Sequence, residues 1–553
     1  MNLSAVKEKK MIRPNKRLVG EGIAAVLWCL LTLATDRLFF RYDWQNPAFF
    51  VYKALFVLLA FAVIHGAVTL VGNLRRGDAF TRRWLQWTLP YLAVSLVVLL
   101  IVWPGCWGCD DLGILQMART LQASPWQHFL TSGAFILSLM FLPLPGGLVL
   151  IQNLLISGIV GCFLAAAETL ARARLRKAPA RGWFAVLYLP FLLPPVLLHN
   201  MQPFRTTWSA WCELFTVFLP VWWYFDGQRV TKKKLAVLAV LGILTAAWRS
   251  ECIYYLAALP VLLAVLVFKK LVRPAAAVVC TAVMVAGTLA CNAYNNHLLV
   301  EPWLYQRVAL CYQTAALVQD ADPVEDAEAL ALIDPIFDVQ ACRDLSTLHG
   351  AELRSAVSRD TTYLTEEDWD ACKKGIVQLA LKYPGSLLRE RLGVFRGTVE
   401  QRETESNQKL VFAATVLLYT AEPESWDESQ ADFFQNSAAV MPLNQQLRED
   451  FIMALSYSTD FLGGALNVTW LMVPSFVLLL AAVLVSLVRR RWMIFFAAGA
   501  LFVRIPLVFL TAPDTYFMYY LAPFMAGYAV AAAGLLYGIL WQKKKKEERG
   551  NLQ

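Results

Sequence analysis

The sequence predicts an all-α polytopic membrane protein with about twelve transmembrane helices, surface-lying helices in its first large outer loop, and a mostly helical domain outside the membrane. Three observations carry that prediction. Of 553 residues, 58% are hydrophobic and 13% aromatic, more apolar surface than a soluble domain needs for its core. The apolar residues gather in runs of about twenty, each long enough to cross roughly 30 Å of hydrocarbon. Short basic segments separate the runs, as they do on the cytoplasmic side of membrane proteins.

In chain order, the basic leader MNLSAVKEKKMIRPNKRLVG precedes the first run without a small-residue cleavage site, so it reads as part of a retained anchor. Hydropathy and turn residues place spans near 20–40, 47–72 and 84–103 ahead of the outer acidic loop, 104–144. Six more follow near 145–170, 183–200, 206–226, 235–248, 252–268 and 274–294, completing an N-terminal transmembrane region over 1–294. Residues 295–465 are expected to form an extracytoplasmic domain. It should be helical, because stretches such as EDWDACKKGIVQLALKYPGSLLRERL repeat apolar residues at helical spacing. Spans near 467–488, 492–511 and 516–541 make a C-terminal transmembrane region over 466–553, which ends in the basic tail KKKKEERG.

Sidedness follows from charge. Thirty of the fifty Lys and Arg fall in seven short segments: the leader, 73–83, 171–181, 227–234, 269–273, 489–491 and the tail. With these spans all seven share one side, which the positive-inside rule makes the cytoplasm, so both termini are cytoplasmic and 295–465 faces out of the cell membrane. That outer segment has 27 Asp and Glu against 13 Lys and Arg, a balance of −14, while the remainder carries +23. The formal +9 therefore points to membrane lipid as a partner and not to nucleic acid. One apolar run is left out to keep this arrangement. Counting residues 126–142, WQHFLTSGAFILSLMFL, as a span would put 171–181 outside. They are expected as a helix along the outer interface, with Trp126 and His128 at head-group level and PLPG turning the chain into the next span.

The acidic loop reads PGCWGCDDLGILQMARTL. Helix-breaking Pro and Gly precede Asp110 and Asp111, and Leu112, Leu115, Ala118 and Leu121 then recur at helical spacing. The two acids thus open a short helix, where the N-terminal dipole favours negative charge. One acid would suffice as a cap. Two adjacent acids beside a bilayer repel each other, which favours a role as general base or metal ligand. In LTAAWRSECIYYLAALP, Arg249 and Glu251 interrupt an apolar stretch at the same outer level. They read either as a solvated hairpin tip or as an anion site, since a guanidinium fits phosphate oxygens. Arg504 lies about eight residues, roughly 12 Å, inside its span, a depth at which a charge marks a site. Asp514, Tyr516, Tyr519 and Tyr520 follow at the outer rim, where an aromatic belt also accounts for tyrosines. Glu213 sits about two turns inside the membrane and needs a partner or a proton, with Arg205 above it as an anion contact or interfacial anchor.

His128, His199 and His297 lack metal-ligand spacing, although His128 follows the acidic loop. Cys106, Cys109, Cys311, Cys342 and Cys372 are placed on the oxidising side, with their pairing left open. The chain has no GxxxxGK[ST], no GxGxxG after a predicted strand, no HExxH and no GxSxG. Every cytoplasmic loop is short, so any chemistry is expected outside.

The acidic pair, the surface helices behind it, the RSE tip at 249–251, the large outer segment and TYFMYYLAP near the last span together resemble bacterial integral-membrane glycosyltransferases of the GT-C fold. More narrowly, they resemble uncharacterised bacterial membrane proteins with a PG…D loop that are related to that fold. The chain departs from the usual form in carrying two extra spans before the acidic loop, and in having WQHF where relatives often have a Trp-His-Pro run. The resemblance implies inverting transfer of a sugar from a polyprenyl-phosphate donor to a glycan, lipid or protein acceptor of the cell envelope. It gives the role of base to Asp110 or Asp111, and contacts to the lipid phosphate to Arg249, Arg504 and Arg205. Glu251, His128, Tyr516, Tyr519 and Tyr520 would support them. No cofactor is required, and a divalent metal (Mg or Mn) held by Asp110 and Asp111 is an open option. Two other readings fit the same composition: a transporter or flippase for a cell-envelope precursor, and a non-catalytic scaffold whose outer part binds envelope polymer.

Overall fold

The computed structural model describes residues 16–40, 45–124, 127–174, 180–298, 302–344, 363–399, 441–456, 466–512 and 515–550. Their regular structure is helical, with no strand among the described residues. Trp126 and Asp514, both singled out in the sequence, lie outside the described residues, as does the side chain of Cys109.

Helices α1 (Lys16–Phe39) and α2 (Pro47–Arg75) pack as a hairpin. α2 starts where Asn46 accepts the Ala48 N–H at 3.0 Å and Pro47 takes the first helical position, two signals that satisfy or remove orphan N–H groups. Between the two helices Lys53 meets Asp36 at 2.5 Å and Thr32 at 3.0 Å, so these two charges are kept off the lipid. Gly77, at φ +78°, turns the chain into α3 (Ala79–Ile101), which Asp78 caps on the Thr81 N–H at 2.7 Å.

The acidic loop, 104–144, then holds α4 (Cys109–Arg119) and α5 (Phe129–Phe141). At 13 residues, α5 is about 20 Å long, too short to cross hydrocarbon unaided. α6 (Pro145–Arg174) lies against α3. Small residues bring the two together: the Trp84 indole donates to the Gly158 carbonyl at 2.9 Å, and a methyl at Gly161 would sit 2.9 Å from the Thr88 nitrogen. A 3₁₀ segment (Arg181–Phe191) and α7 (Pro194–Asn200) follow, bent by 71° to each other. α8 (Arg205–Asp226) ends on Gly227 at φ +73°, the left-handed cap that glycine supplies.

Next come α9 (Lys232–Trp248), a 3₁₀ turn at Ser250–Cys252, α10 (Tyr255–Phe268) and α11 (Pro274–Leu298). The segment 295–465 contributes α12 (Pro302–Asp320), α13 (Ala327–Ile333), α14 (Val339–Asp344), α15 (Glu366–Lys382), α16 (Pro384–Val399) and α17 (Gln445–Leu455). It has a core of its own around Tyr312, Ile333, Phe337 and Trp369. Cys311, Cys342 and Cys372 lie in that core as free thiols. The chain closes with α18 (Met472–Val488), α19 (Trp492–Thr511), a 3₁₀ turn at Phe517–Tyr520 and α20 (Leu521–Gly550).

Among the described residues, eight helical segments are long and apolar enough to cross a membrane, or nine if the bent pair counts as one span. The other expected spans are helical too. α9 and α18 are 17 residues each, roughly 25 Å, and α8 carries Arg205, Glu213 and Asp226 within its 22 residues. Outward-facing side chains on the apolar helices, such as Leu31 at 75% and Leu58 at 65% exposure, would be costly in water and are at home in lipid.

Two buried arginines fasten the segment 295–465 to the apolar helices. Arg391 on α16 pairs with Glu390 and donates to the Ala512 carbonyl at 2.7 Å, just past the end of α19. Arg448 on α17 donates to the Gly105 carbonyl at 3.1 Å and the Val102 carbonyl at 3.4 Å. It thereby grips the turn that leads into the acidic loop.

Candidate functional site

The acidic loop separates its two carboxylates. Asp111 is fully buried; its Oδ2 accepts the Gly108 N–H at 3.1 Å and the Gln202 side-chain amide at 3.3 Å. Asp110 is exposed. Adjacent residues at a helix start point about 100° apart, so one acid turns inward as a brace and the other stays open. Burial pushes the Asp111 carboxyl well above the usual carboxylate range, and the nearby Asp110 charge adds to this. The Gly108 and Gln202 hydrogen bonds and the Arg205 charge oppose it. Oδ1 of Asp111 has no hydrogen-bond partner among the described residues, which leaves it able to carry the proton.

The sign of this shift sets a pH dependence. A carboxyl whose pKa is raised by folding contributes stability that is full below its unfolded pKa, near 4, and is lost as pH rises through the folded value. Asp111→Asn copies the protonated acid and keeps both hydrogen bonds. Its thermal stability is expected to match the parent near pH 4 and to exceed it increasingly above that. Asp111→Ala strands the Gly108 N–H and the Gln202 amide and should cost about 1–3 kcal/mol at any pH. Thermal unfolding of the three proteins between pH 4 and 8 checks both expectations.

His128 is the N-cap of α5, its Nδ1 accepting the Leu130 N–H at 3.4 Å. Burial lowers its pKa to about 4, and Arg205 lowers it further against an opposing Asn292 hydrogen bond, so it is neutral at pH 7. Arg205 opens α8 and stands within electrostatic reach of both Asp111 and His128. These groups come from three separate elements.

A second set of charges lies along α8. Glu213 accepts from Arg504 Nη1 at 2.6 Å, from the Tyr255 hydroxyl at 2.8 Å and from the Tyr254 hydroxyl at 3.3 Å. Arg504 also donates through Nε to the Tyr519 carbonyl at 2.9 Å, and its Nη2 is 3.8 Å from Glu251. Arg249 pairs with Glu251 through Nη2 and lies over the Tyr519 ring at 4.9 Å. It is only 7% exposed, and its Nε and Nη1 have no hydrogen-bond partner among the described residues. The 249–251 turn is therefore packed inside the protein, and the solvated-tip reading of the sequence is not what the fold builds.

The two sets adjoin. Thr206, Ser209 and Glu213 recur on one face of α8, where Thr206 meets Met518 at 3.4 Å, Ser209 meets Cys252 at 3.9 Å and Glu213 meets Arg504. Arg205 begins the same helix. Trp248, next to Arg249, donates to Thr131 of α5 at 3.0 Å and stacks on Trp208 of α8 at 6.1 Å. The element bearing His128 and the element bearing Arg249 are thus tied to each other and to α8.

The tyrosines divide by role. Tyr519 backs both arginines, Tyr516 packs edge-on against Tyr519 at 5.6 Å, and Tyr520 is buried between Phe395 and Phe476. An aromatic belt is therefore not their main setting. His199 is buried, with Nδ1 2.6 Å from the Pro195 carbonyl, and His297 is exposed. Among the described residues, no group of three or more His, Cys, Asp or Glu gathers as a metal site. Residues that sequence reasoning passed over are Gln202, Tyr254, Tyr255 and Arg448. The signal for the tyrosine pair was its place five and six residues after Arg249 in RSECIYY, while Gln202 and Arg448 gave none.

By its fold the chain is a multi-pass helical membrane protein. No protein-family model, curated protein or solved structure matches it.

Proposed function

We propose that the protein is a membrane glycosyltransferase of GT-C type. It would span the membrane twelve times and transfer a sugar from a polyprenyl-phosphate donor to an envelope acceptor at the outer face. The observation that carries this reading is Arg249, a buried guanidinium with two unpartnered N–H positions, set beside Arg504 and tied through α8 to the acidic loop. A buried donor without a partner is costly unless a ligand satisfies it.

In the proposed step an acceptor hydroxyl attacks the anomeric carbon, the carbon–oxygen bond to the lipid phosphate breaks, and the hydroxyl proton passes to Asp110. Asp110 takes this role because it is the open carboxylate, and a base must reach the proton it removes. Asp111 positions the loop from within. The departing phosphate gains charge as the bond breaks, and Arg249 meets it with preorganised donors. As written, the transfer needs no soluble cofactor.

The test is to incubate purified protein with a labelled polyprenyl-phosphate sugar and a mixture of envelope acceptors, and to follow label leaving the lipid. Arg249→Gln is expected to reduce kcat/KM about 10²- to 10³-fold. Arg249→Lys should restore only part of it, because an ammonium cannot reproduce the planar fork.

A transporter is the second reading, favoured by the buried Arg504–Glu213 pair, since intramembrane ion pairs mark transport pathways. Under that reading label crosses vesicle membranes still bonded to its lipid.

A further inference from the structure

We propose that the protein carries a second, separate ligand site: a pocket for the phosphate headgroup of an anionic phospholipid, where α3, α6 and the Arg181–Phe191 segment meet. The positive-inside rule puts this rim at the cytoplasmic leaflet.

Its centre is Glu168 of α6, whose side chain is 3% exposed. Glu168 accepts from the Trp87 indole at 2.7 Å and from Arg172 Nε at 2.7 Å. Those two contacts already satisfy it. Yet Arg83 of α3 and Arg181 stand at 3.9 Å and 3.6 Å from the same carboxylate. Three guanidiniums around one carboxylate leave a net charge of +2, assembled from three elements at the level of the head groups. Gathering like charge costs folding energy unless an anion sits among it.

The cations are also held in place. Arg83 donates through Nη1 to Thr169 at 3.0 Å, and Arg181 lies over the Trp87 ring at 4.8 Å. Nη2 of Arg181 is buried and has no hydrogen-bond partner among the described residues, so it is a formed donor that a ligand oxygen could engage. Their side chains remain 26–35% exposed, open enough for a ligand to reach. Guanidinium forks suit phosphate oxygens, and basic sites between helices on the cytoplasmic side are where anionic lipids bind. A lipid fits better than free phosphate because apolar side chains flank the arginines. Trp183 and Leu189 on the 3₁₀ segment and Leu89 on α3 are about half exposed, a path along which acyl chains can lie.

Native mass spectrometry of the full chain in detergent tests this. Phosphatidylglycerol and phosphatidylcholine of equal chain length would be offered separately, and inorganic phosphate in a third arm. The parent protein is expected to retain phosphatidylglycerol in preference to phosphatidylcholine. Arg83→Gln and Arg181→Gln should each lower that retention about five-fold, near the value of one juxtamembrane charge. Both leave the 2.7 Å Arg172–Glu168 pair intact, so the fold should survive. Glu168→Gln keeps a hydrogen-bonding side chain at the Trp87 indole, raises the net charge to +3 and should increase retention. A merely structural ion cluster would lose stability in all three variants without changing lipid preference. Equal retention of the two lipids by the parent, or unchanged retention in the Arg83→Gln/Arg181→Gln double variant, overturns the site. Displacement of phosphatidylglycerol by millimolar phosphate would make it a free-anion site and overturn the lipid assignment.

Discussion

Asp110→Asn is expected to lower sugar transfer by about 10²- to 10⁴-fold, the usual contribution of a positioned general base, with expression and thermal stability unchanged. The physical ground is the difference between two neighbouring acids. Asp110 is exposed and can meet a hydroxyl, whereas Asp111 is enclosed and spends Oδ2 on Gly108 and Gln202. Replacing an exposed carboxylate with its amide removes the basic oxygen and little else. Label release from a polyprenyl-phosphate sugar, measured for both single variants, reads the outcome. Full activity in Asp110→Asn with loss in Asp111→Asn would hand the role to Asp111. Full activity in both would remove the base from this loop altogether.

Arg504→Met is expected to be the most damaging single change to the fold, costing about 3–5 kcal/mol, the range found when one partner of a buried ion pair is removed. Glu213 would keep the Tyr254 and Tyr255 hydroxyls but lose the hydrogen-bonded guanidinium of Arg504 in a site shut off from water. Arg504 also holds the Tyr519 carbonyl, so the turn that backs Arg249 should loosen with it. The double variant Glu213→Gln/Arg504→Met removes both charges and should cost clearly less than the sum of the single changes. Thermal unfolding of the four proteins in one detergent measures the coupling. Additive losses would mean that the pair is not what joins α8 to α19.

Several parts of this arrangement could be read without coordinates. Pro104, Gly105 and Gly108 ahead of Asp110 and Asp111 mark the start of a short helix by local chemistry alone, and α4 begins there with both acids in its first turn. Depth in apolar runs marked Arg504 as part of a site and Glu213 as needing a partner or a proton. Their choice of each other could not be read, because 291 residues separate them and helical spacing carries no information across that distance. The 249–251 turn was ambiguous for a similar reason. Its two charges look the same on a solvated tip as in a buried site, and only the packing of Tyr519 and Trp248 against it decides.

The sequence by itself determined that this is a helical, multi-pass membrane chain, because hydrocarbon thickness and backbone hydrogen bonding leave a run of twenty apolar residues few alternatives. It also determined which charged residues would be too costly to leave in lipid. Tertiary structure alone decided which of two adjacent aspartates is enclosed, that Arg504 closes on Glu213, and that three arginines from separate elements surround Glu168. Those outcomes depend on which helices touch, and contacts between distant segments are set by packing that no local pattern encodes.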